Sequence, residues 1–558
     1  MQFFAGPLKE LAEYEEIQKK RTEKQGMIQI SGCVTSQKTH LMYALGDGFK
    51  RKIIAVSSEL RAKQIYEEYR FLDSDVWLYP AKDLLFYQAD LRGKFLIKQR
   101  MEVYQALLEQ EQVTVITSFD GFMDSLLPLE EMEKRVISLE AGQALDFEKL
   151  KKDMVLLGYE REEQIEGPGQ FAVRGGILDI YPLTEEVPVR IEMWGDEIDS
   201  IRTFDVESQR SIENLESIRI YPATDFPEEQ AKRVSFLDYF DKKTSMLFLD
   251  EPVRLIEKGE SVEEEFVQAQ ANRMECGYTV SDEEMKLFST KEIADKMNQY
   301  YSIGMSALEM KCKEFKTRGL YHLQAKGVNP YNNSFEMLTR DLKQLKRKGY
   351  RAILLSGSRT RAKRLAEDLR DYNLSSFYSE DVEREVNPGE IMVTYGHVTE
   401  GYEYPMIKFI VISETDIFGQ KKKKRKRKVY EGQKIQSFSE LKVGDYVVHE
   451  NHGLGIYQGI EKIEVDKVAK DYMKIAYAAG GNLYIPATQL DLIQKYASAD
   501  AKKPKLNRLG GQEWTKTKTR VRGAVKEIAK DLVELYAARQ EKHGFVYGED
   551  TVWQREFE

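Results

Sequence analysis

The sequence predicts a multidomain α/β protein, and three observations carry that prediction. Short apolar runs alternate with charged helical stretches upstream, and closely spaced strands interrupt that rhythm between Gly169 and Ile220. Eight consecutive cations, Lys421 to Lys428, then set off a tail that reads as a small β-barrel and a long helix. At 558 residues the chain exceeds the roughly 250 to 300 at which one hydrophobic core stops growing, so several domains are expected.

Upstream, Lys52-Ile-Ile-Ala-Val56, Val113-Thr-Val-Ile-Thr117 and Arg351-Ala-Ile-Leu-Leu355 are apolar runs of strand length. They alternate with helical stretches such as Ser58 to Arg70 and Ser358 to Asp371. Strands apolar on both faces, followed by amphipathic helices, point to parallel α/β units. In the interruption, FAVRGGILDIYP, VPVRIEMWGDEIDSIRTFD and IENLESIRIYP read as strands joined by Gly, Pro and Asp turns. This is a β-rich insert within an α/β frame.

The cation block repels itself and cannot pack, so it reads as a solvated linker. It also hides an asymmetry. The chain carries 84 Lys+Arg against 93 Asp+Glu, a net −9, and without the block 76 cations face the same 93 acids, a net −17. Downstream, Gly444 to His449, Gly455 to Val465, Asp471 to Tyr477 and Gly481 to Pro486 are strands, with Gly480-Gly481 as a hairpin turn. About 60 residues of short strands fit a small barrel. After Gly510-Gly511, Val521, Val525, Ile528, Leu532 and Leu535 recur at spacings of 4, 3, 4 and 3, the seam of a long helix ending near Gly544. That face wants a partner, and Trp553 to Glu558 carries no terminating signal, so further sequence is expected beyond it.

At 42% hydrophobic and 32% charged the chain can bury cores, and it has no stretch near the roughly 18 to 20 apolar residues of a membrane span. Its first residues, MQFFAGPLKELAEYEE, place acids where a signal peptide is apolar. A soluble cytoplasmic protein is the expectation. Cys33, Cys276 and Cys312 are far apart and form no C-x-x-C pair, and His449 and His452 sit in a Gly-rich turn without a carboxylate-histidine set. Neither a disulfide framework nor a metal site is expected.

Ser31 to Thr39 has the length of a phosphate-binding loop after a short apolar strand, Met27 to Ile30. Such a loop aims backbone N–H groups, a Lys charge and a Thr hydroxyl at phosphate and magnesium. Gly32, Lys38 and Thr39 are present, but Gln37 stands where a glycine would leave the backbone free to turn. The loop reads as degenerate and non-binding. Asp250-Glu251, after Met246-Leu-Phe-Leu249, resembles the acid pair that holds magnesium in motor ATPases. Pro252 follows directly and no Q-x-x-G-R-x-x-R arginine finger occurs, so the pair reads as vestigial and no catalytic residue is assigned.

Arg174, Arg190 and Trp194 lie on adjacent strands of the insert, and a spacing of four puts Arg190 and Trp194 on one face. Arg and Trp are typical interface anchors. The plainer reading is a Trp covering the core between two solvated arginines. The cation block could grip nucleic acid through phosphate, but no aromatics interleave it for base stacking.

The degenerate loop, FAVRGGILDIYP with RIEMWGDEIDSIRTFD, LFLDE, GDYVVHENHGLGIYQGI with NLYIPATQLDLI, and LGGQEW before a long helix together resemble the N-terminal part of the bacterial transcription-repair coupling factor family, Mfd. The resemblance covers nearly the whole chain, and the N-terminal α/β part is also similar to the excision-repair protein UvrB. It implies a UvrB-like domain in two parts, 1–135 with the degenerate loop and 223–325, around an insert at 136–222 that recruits UvrA. Arg174 in AVRGG, Arg190 in VRIE and Trp194 in EMWGDE take the family's contact positions. A further α/β domain at 330–418, a basic flexible linker at 419–437 and an SH3/Tudor-like barrel at 438–498 follow. The barrel resembles the RNA polymerase interaction domain that grips the β subunit, with Ile463 and Tyr457, six residues before it, in the contact. On the residues alone, Ile463 is a core strand position. The helix at 508–545 resembles the relay helix that wraps the motor.

The implied function is transcription-coupled nucleotide excision repair, linking polymerase stalled at a lesion to UvrA. ATP, magnesium and most duplex DNA contact belong to motor domains with intact helicase motifs expected beyond Glu558, where ATP-dependent translocation displaces the polymerase. No cofactor and no catalysis are assigned to this stretch itself. UvrB's Tyr-rich, DNA-threading hairpin has no room between Tyr79 and Arg100, which argues against direct lesion recognition. Two alternatives stay open: an autonomous UvrB-like ATPase, and a nucleic-acid module built on the linker.

Overall fold

The computed structural model describes residues 2–82, 94–165, 167–206, 208–224, 233–275, 287–419, 433–434, 441–449, 452–465, 468–486, 493–496, 504–509, 513–514, 516–517 and 520. They fall in two compact units, Met1–Arg427 and Lys428–Glu558. The cation block, Cys276, residues 83–93 and the apolar positions from Val521 to Leu535 lie outside the described residues.

The first unit is built on a seven-stranded, all-parallel sheet ordered Thr317–His322, Gly26–Ser31, Tyr301–Met305, Ser245–Asp250, Arg51–Val56, Val113–Ser118 and Val76–Tyr79. Strands 26–31, 113–118 and 245–250 are buried at every position, which is why they read as apolar runs rather than as alternating ones. Helix Glu59–Leu72 begins where the Ser58 side chain accepts a hydrogen bond from the Arg61 backbone N–H at 3.3 Å, an N-cap.

The insert leaves and rejoins this frame through one antiparallel pair, Ile137–Glu140 with Ser217–Ile220. Between them, helix Phe147–Leu156 packs on a six-stranded sheet ordered Ser211–Leu215, Glu197–Phe204, Val189–Trp194, Ile177–Tyr181, Gln170–Arg174 and Glu160–Arg161. The turns fall at Gly175-Gly176 and Gly195-Asp196, and Gly175 and Gly195 hold φ of +62° and +65°, where a Cβ would strain the backbone. Leu150, Phe171, Leu178, Ile191 and Ile201 form a core that belongs to the insert alone.

A second six-stranded sheet runs Lys326–Gly327, Tyr402–Tyr404, Phe409–Ile412, Arg351–Ser356, Ile391–Tyr395 and Ser376–Tyr378. Alternation along 351–356 splits it between two cores. Ala352 and Leu354 pack within the small domain, while Ile353 and Leu355 join Ile28 and Ile54 of the first sheet and Phe4 and Leu41 of the helices 2–5 and 35–45. Tyr402, Tyr404 and Phe409 enter the same shared core, so the chain boundary expected near 325–330 is not a boundary in the packing.

The second unit is an antiparallel six-stranded sheet ordered Gln433–Lys434, Ile493–Lys495, Tyr446–His449, Gly453–Val465, Val468–Ala476 and Asn482–Pro486. Val447, Met473, Ile475 and Ile493 fill its interior. A 3-10 turn, Ala478–Gly480, with Gly480 at φ +76°, joins the last hairpin at the expected glycine pair. Among the described residues no helix is long and apolar enough to cross a membrane, and no group of three or more His, Cys, Asp or Glu is placed to hold a metal ion.

Candidate functional site

Strand 26–31 delivers its last residue to Gly32, and helix Thr35–Leu45 starts three residues later, so the loop has the strand-loop-helix setting of a phosphate cradle. Its donors are already engaged. The backbone N–H of Gly32 donates to Ala307 O at 3.3 Å, that of Cys33 to Ser306 O at 3.1 Å, and that of Val34 to Gln37 Oε1 at 3.1 Å. Gly32 sits at φ +79°, and a Cβ there would lie 2.1 Å from the Leu323 carbonyl oxygen, so the neighbouring strand's end closes on the loop. Gln37, which replaces the expected glycine, thus caps its own helix.

The charged residues are engaged too. Lys38 Nζ donates to Asp250 Oδ1 at 2.7 Å and to Glu251 Oε1 at 2.5 Å, and Arg61 Nε reaches Asp250 Oδ2 at 2.9 Å. Burial pushes the Asp250 carboxyl up, but the Lys38 and Arg61 charges outweigh it and hold the group below the usual carboxylate range. Buried Glu68 accepts from Ser36 Oγ and Thr39 Oγ1, each at 2.6 Å, and from the Thr399 backbone N–H of the small domain at 3.0 Å. The Gly32, Cys33 and Val34 amides, the Lys38 ammonium and the Ser36 and Thr39 hydroxyls are thus all turned onto protein partners.

The outer face of the insert is differently arranged. On strand 177–181, Leu178 and Ile180 face the core, and alternation sends Asp179 to the opposite face, where it is nonetheless only 1% exposed. It lies directly across from Arg190 and diagonal to Arg174. Arg190 Nε and Nη2 donate to its two oxygens at 2.6 and 2.9 Å, and Arg174 Nη2 donates to Oδ2 at 3.1 Å. The Arg190 guanidinium also stacks over Phe204, 4.3 Å from the ring centroid. Trp194, on the same strand as Arg190, is 82% exposed at the hairpin tip. The structure thus brings Arg174 and Arg190 together and leaves the indole open. Sequence reading missed Asp179, although a lone acid within the apolar run Ile177-Leu-Asp-Ile-Tyr181 was a signal to be read.

In the second unit, Tyr457 is buried, and burial lifts its phenol to about 12. Its ring belongs to the sheet's core, which corrects its expected place beside Ile463 on a contact surface. Ile463 lies on strand 453–465 opposite Lys470, and a register shift between Tyr457 and Gly459 breaks simple alternation between the two positions.

The description of a UvrB interaction domain matches residues 137–226, and that of a CarD-like/TRCF RID domain matches residues 441–497. The chain is 30% identical to the transcription-repair-coupling factor of Bacillus subtilis (strain 168), over 95% of this chain and 50% of that protein. These matches support a transcription-repair coupling factor fragment. Staphylococcus epidermidis (strain ATCC 35984) and Staphylococcus aureus (strain MRSA252) carry family members 29% and 28% identical, covering 87% and 88% of this chain. The chain spans about half the length of the curated relatives it matches, 46% to 50%. In this chain the UvrB interaction match coincides with the clasped insert, and the RID match with the antiparallel sheet of the second unit.

Proposed function

We propose that this chain docks RNA polymerase stalled at a DNA lesion through residues 441–497, by way of the polymerase β subunit, and presents the insert to UvrA. A blocked transcription complex is thereby handed to nucleotide excision repair. One observation carries the reading: two recognition modules share a polypeptide whose phosphate-loop lysine and hydroxyls are engaged inside the protein. Surfaces for two partners without a working nucleotide loop describe an adaptor. In a protein of the relatives' length, ATP and magnesium serve a motor that translocates on duplex DNA and pushes the polymerase off. The setting is the bacterial cytoplasm, where both machineries meet.

The test measures UvrA binding to the chain and to isolated 136–222, with the variants in which Arg174, Arg190 and Trp194 are replaced by Ala beside each as non-binding controls. The insert's own core and terminal clasp support its folding alone. Binding by the insert but not by the chain places a mask within these 558 residues; binding by neither removes UvrA from the reading. In parallel, Ile463→Arg is expected to weaken polymerase binding and spare UvrA, because an unpaired charge at an interface is costly. Unchanged polymerase affinity takes Ile463 out of the contact.

A further inference from the structure

We propose that Asp179 is a positioning residue for the partner contact, holding Arg174 at the surface, and that Arg190 acts through Asp179 rather than by touching the partner. The inference rests on the reading of the insert as the UvrA surface. The two arginines are unequal. Arg190 has a side chain only 16% exposed, with its Nε and Nη2 turned onto Asp179, a further bond to Gln209 at 2.8 Å, and its plane on Phe204. Arg174 is 51% exposed and meets Asp179 through one nitrogen.

Two guanidiniums on the strands that flank 177–181 on either side repel each other unless a negative charge lies between them. Asp179 supplies it, and the bidentate fork from Arg190 fixes the orientation of the carboxylate that Arg174 then meets. Arg174 is a long side chain that would otherwise lose its rotamer freedom on binding, so holding it beforehand lowers the cost of association. The partner surface this fits offers a carboxylate or carbonyl oxygen to Arg174 and an apolar recess to Trp194.

The experiment compares purified UvrA binding to the whole chain as wild type, Asp179→Asn, Arg174→Ala, Trp194→Ala and the Asp179→Asn/Arg174→Ala double variant. A melt of each protein checks folding. Asp179→Asn is expected to weaken binding about tenfold, and to cost little more once Arg174 is gone, the coupling of residues that act as one unit. An undiminished cost in the Arg174→Ala background would mean general loosening and overturn the proposal. Wild-type binding by Asp179→Asn beside a weakened Arg174→Ala overturns the positioning role alone, whereas wild-type binding by both Arg174→Ala and Trp194→Ala overturns the UvrA reading with it. Should Asp179→Asn fail to fold, Arg190→Lys keeps the charge without the fork and is held to the same coupling with Arg174→Ala. Independence there is equally fatal.

Discussion

Lys38 and Asp250 form a buried ion pair, with the ammonium 2.7 Å from Oδ1 although 212 residues separate them in the chain. In a working phosphate loop these residue types face nucleotide and metal. Here they face each other, and a site for chemistry has become a tie between helix 35–45 and the end of strand 245–250.

Removing that tie should cost stability rather than activity. Lys38→Ala leaves the Asp250 and Glu251 carboxylates with Arg61 as their remaining cation, and breaking a buried pair from one side costs about 3 to 5 kcal/mol. Urea denaturation should show the lower midpoint. Calorimetry should detect no ATP binding at millimolar concentration in either protein; ATP turnover abolished by Lys38→Ala would restore the ATPase reading.

Acid should weaken the first unit through His40. It is buried between Phe4 and Tyr404, and burial depresses its imidazole to about 4. The unfolded chain takes up a proton near pH 6.5 while the folded chain resists until about 4, so stability is complete above 6.5 and is lost as pH falls between the two. The loss is about 3 kcal/mol from this group. His40→Gln should flatten the pH dependence of the urea midpoint in that window, and an unchanged slope would exclude His40 as its source.

The shared core predicts that the two sheets of the first unit melt together. Phe409→Ala empties an aromatic site that also supports the first sheet, a change worth about 3 to 5 kcal/mol. Amide exchange should then quicken in strand 26–31 as well as in 351–356. Acceleration confined to the small sheet would show that the cores are independent.

Trp194→Ala should do the reverse, leaving the melting midpoint nearly unchanged because an open surface side chain contributes within about 0.5 kcal/mol. UvrA affinity should nevertheless fall at least about tenfold, as for a buried aromatic anchor. Equal losses of stability and binding would mark Trp194 as a structural residue.

Much of this architecture was readable because its signals are local. Lys52 to Val56 and Val113 to Thr117 lie within buried parallel strands, and the glycine pairs at 175–176 and 480–481 lie at the turns of their hairpins. What was not readable depends on distant partners or on register. Tyr457 looked like a neighbour of Ile463 on a surface, yet the register shift beside it and the packing of the sheet put its ring inside. The apolar run Arg351 to Leu355 announced a strand, but not that Ile353 and Leu355 serve a different core from Leu354. Lys38 could be recognised as a loop lysine; the acids that consume it lie at the end of strand 245–250, far away in sequence.

Gln37, finally, bears on any attempt to graft nucleotide dependence onto this half of the molecule. Restoring glycine at that position would free a single amide, that of Val34. The other loop groups would stay held by carbonyls at Ser306 and Ala307, by the acids at 250–251, and by Glu68 with the small domain's Thr399. Four separate stretches of chain would have to be redesigned together before a phosphate found a vacancy, so no single reversion can return this loop to service.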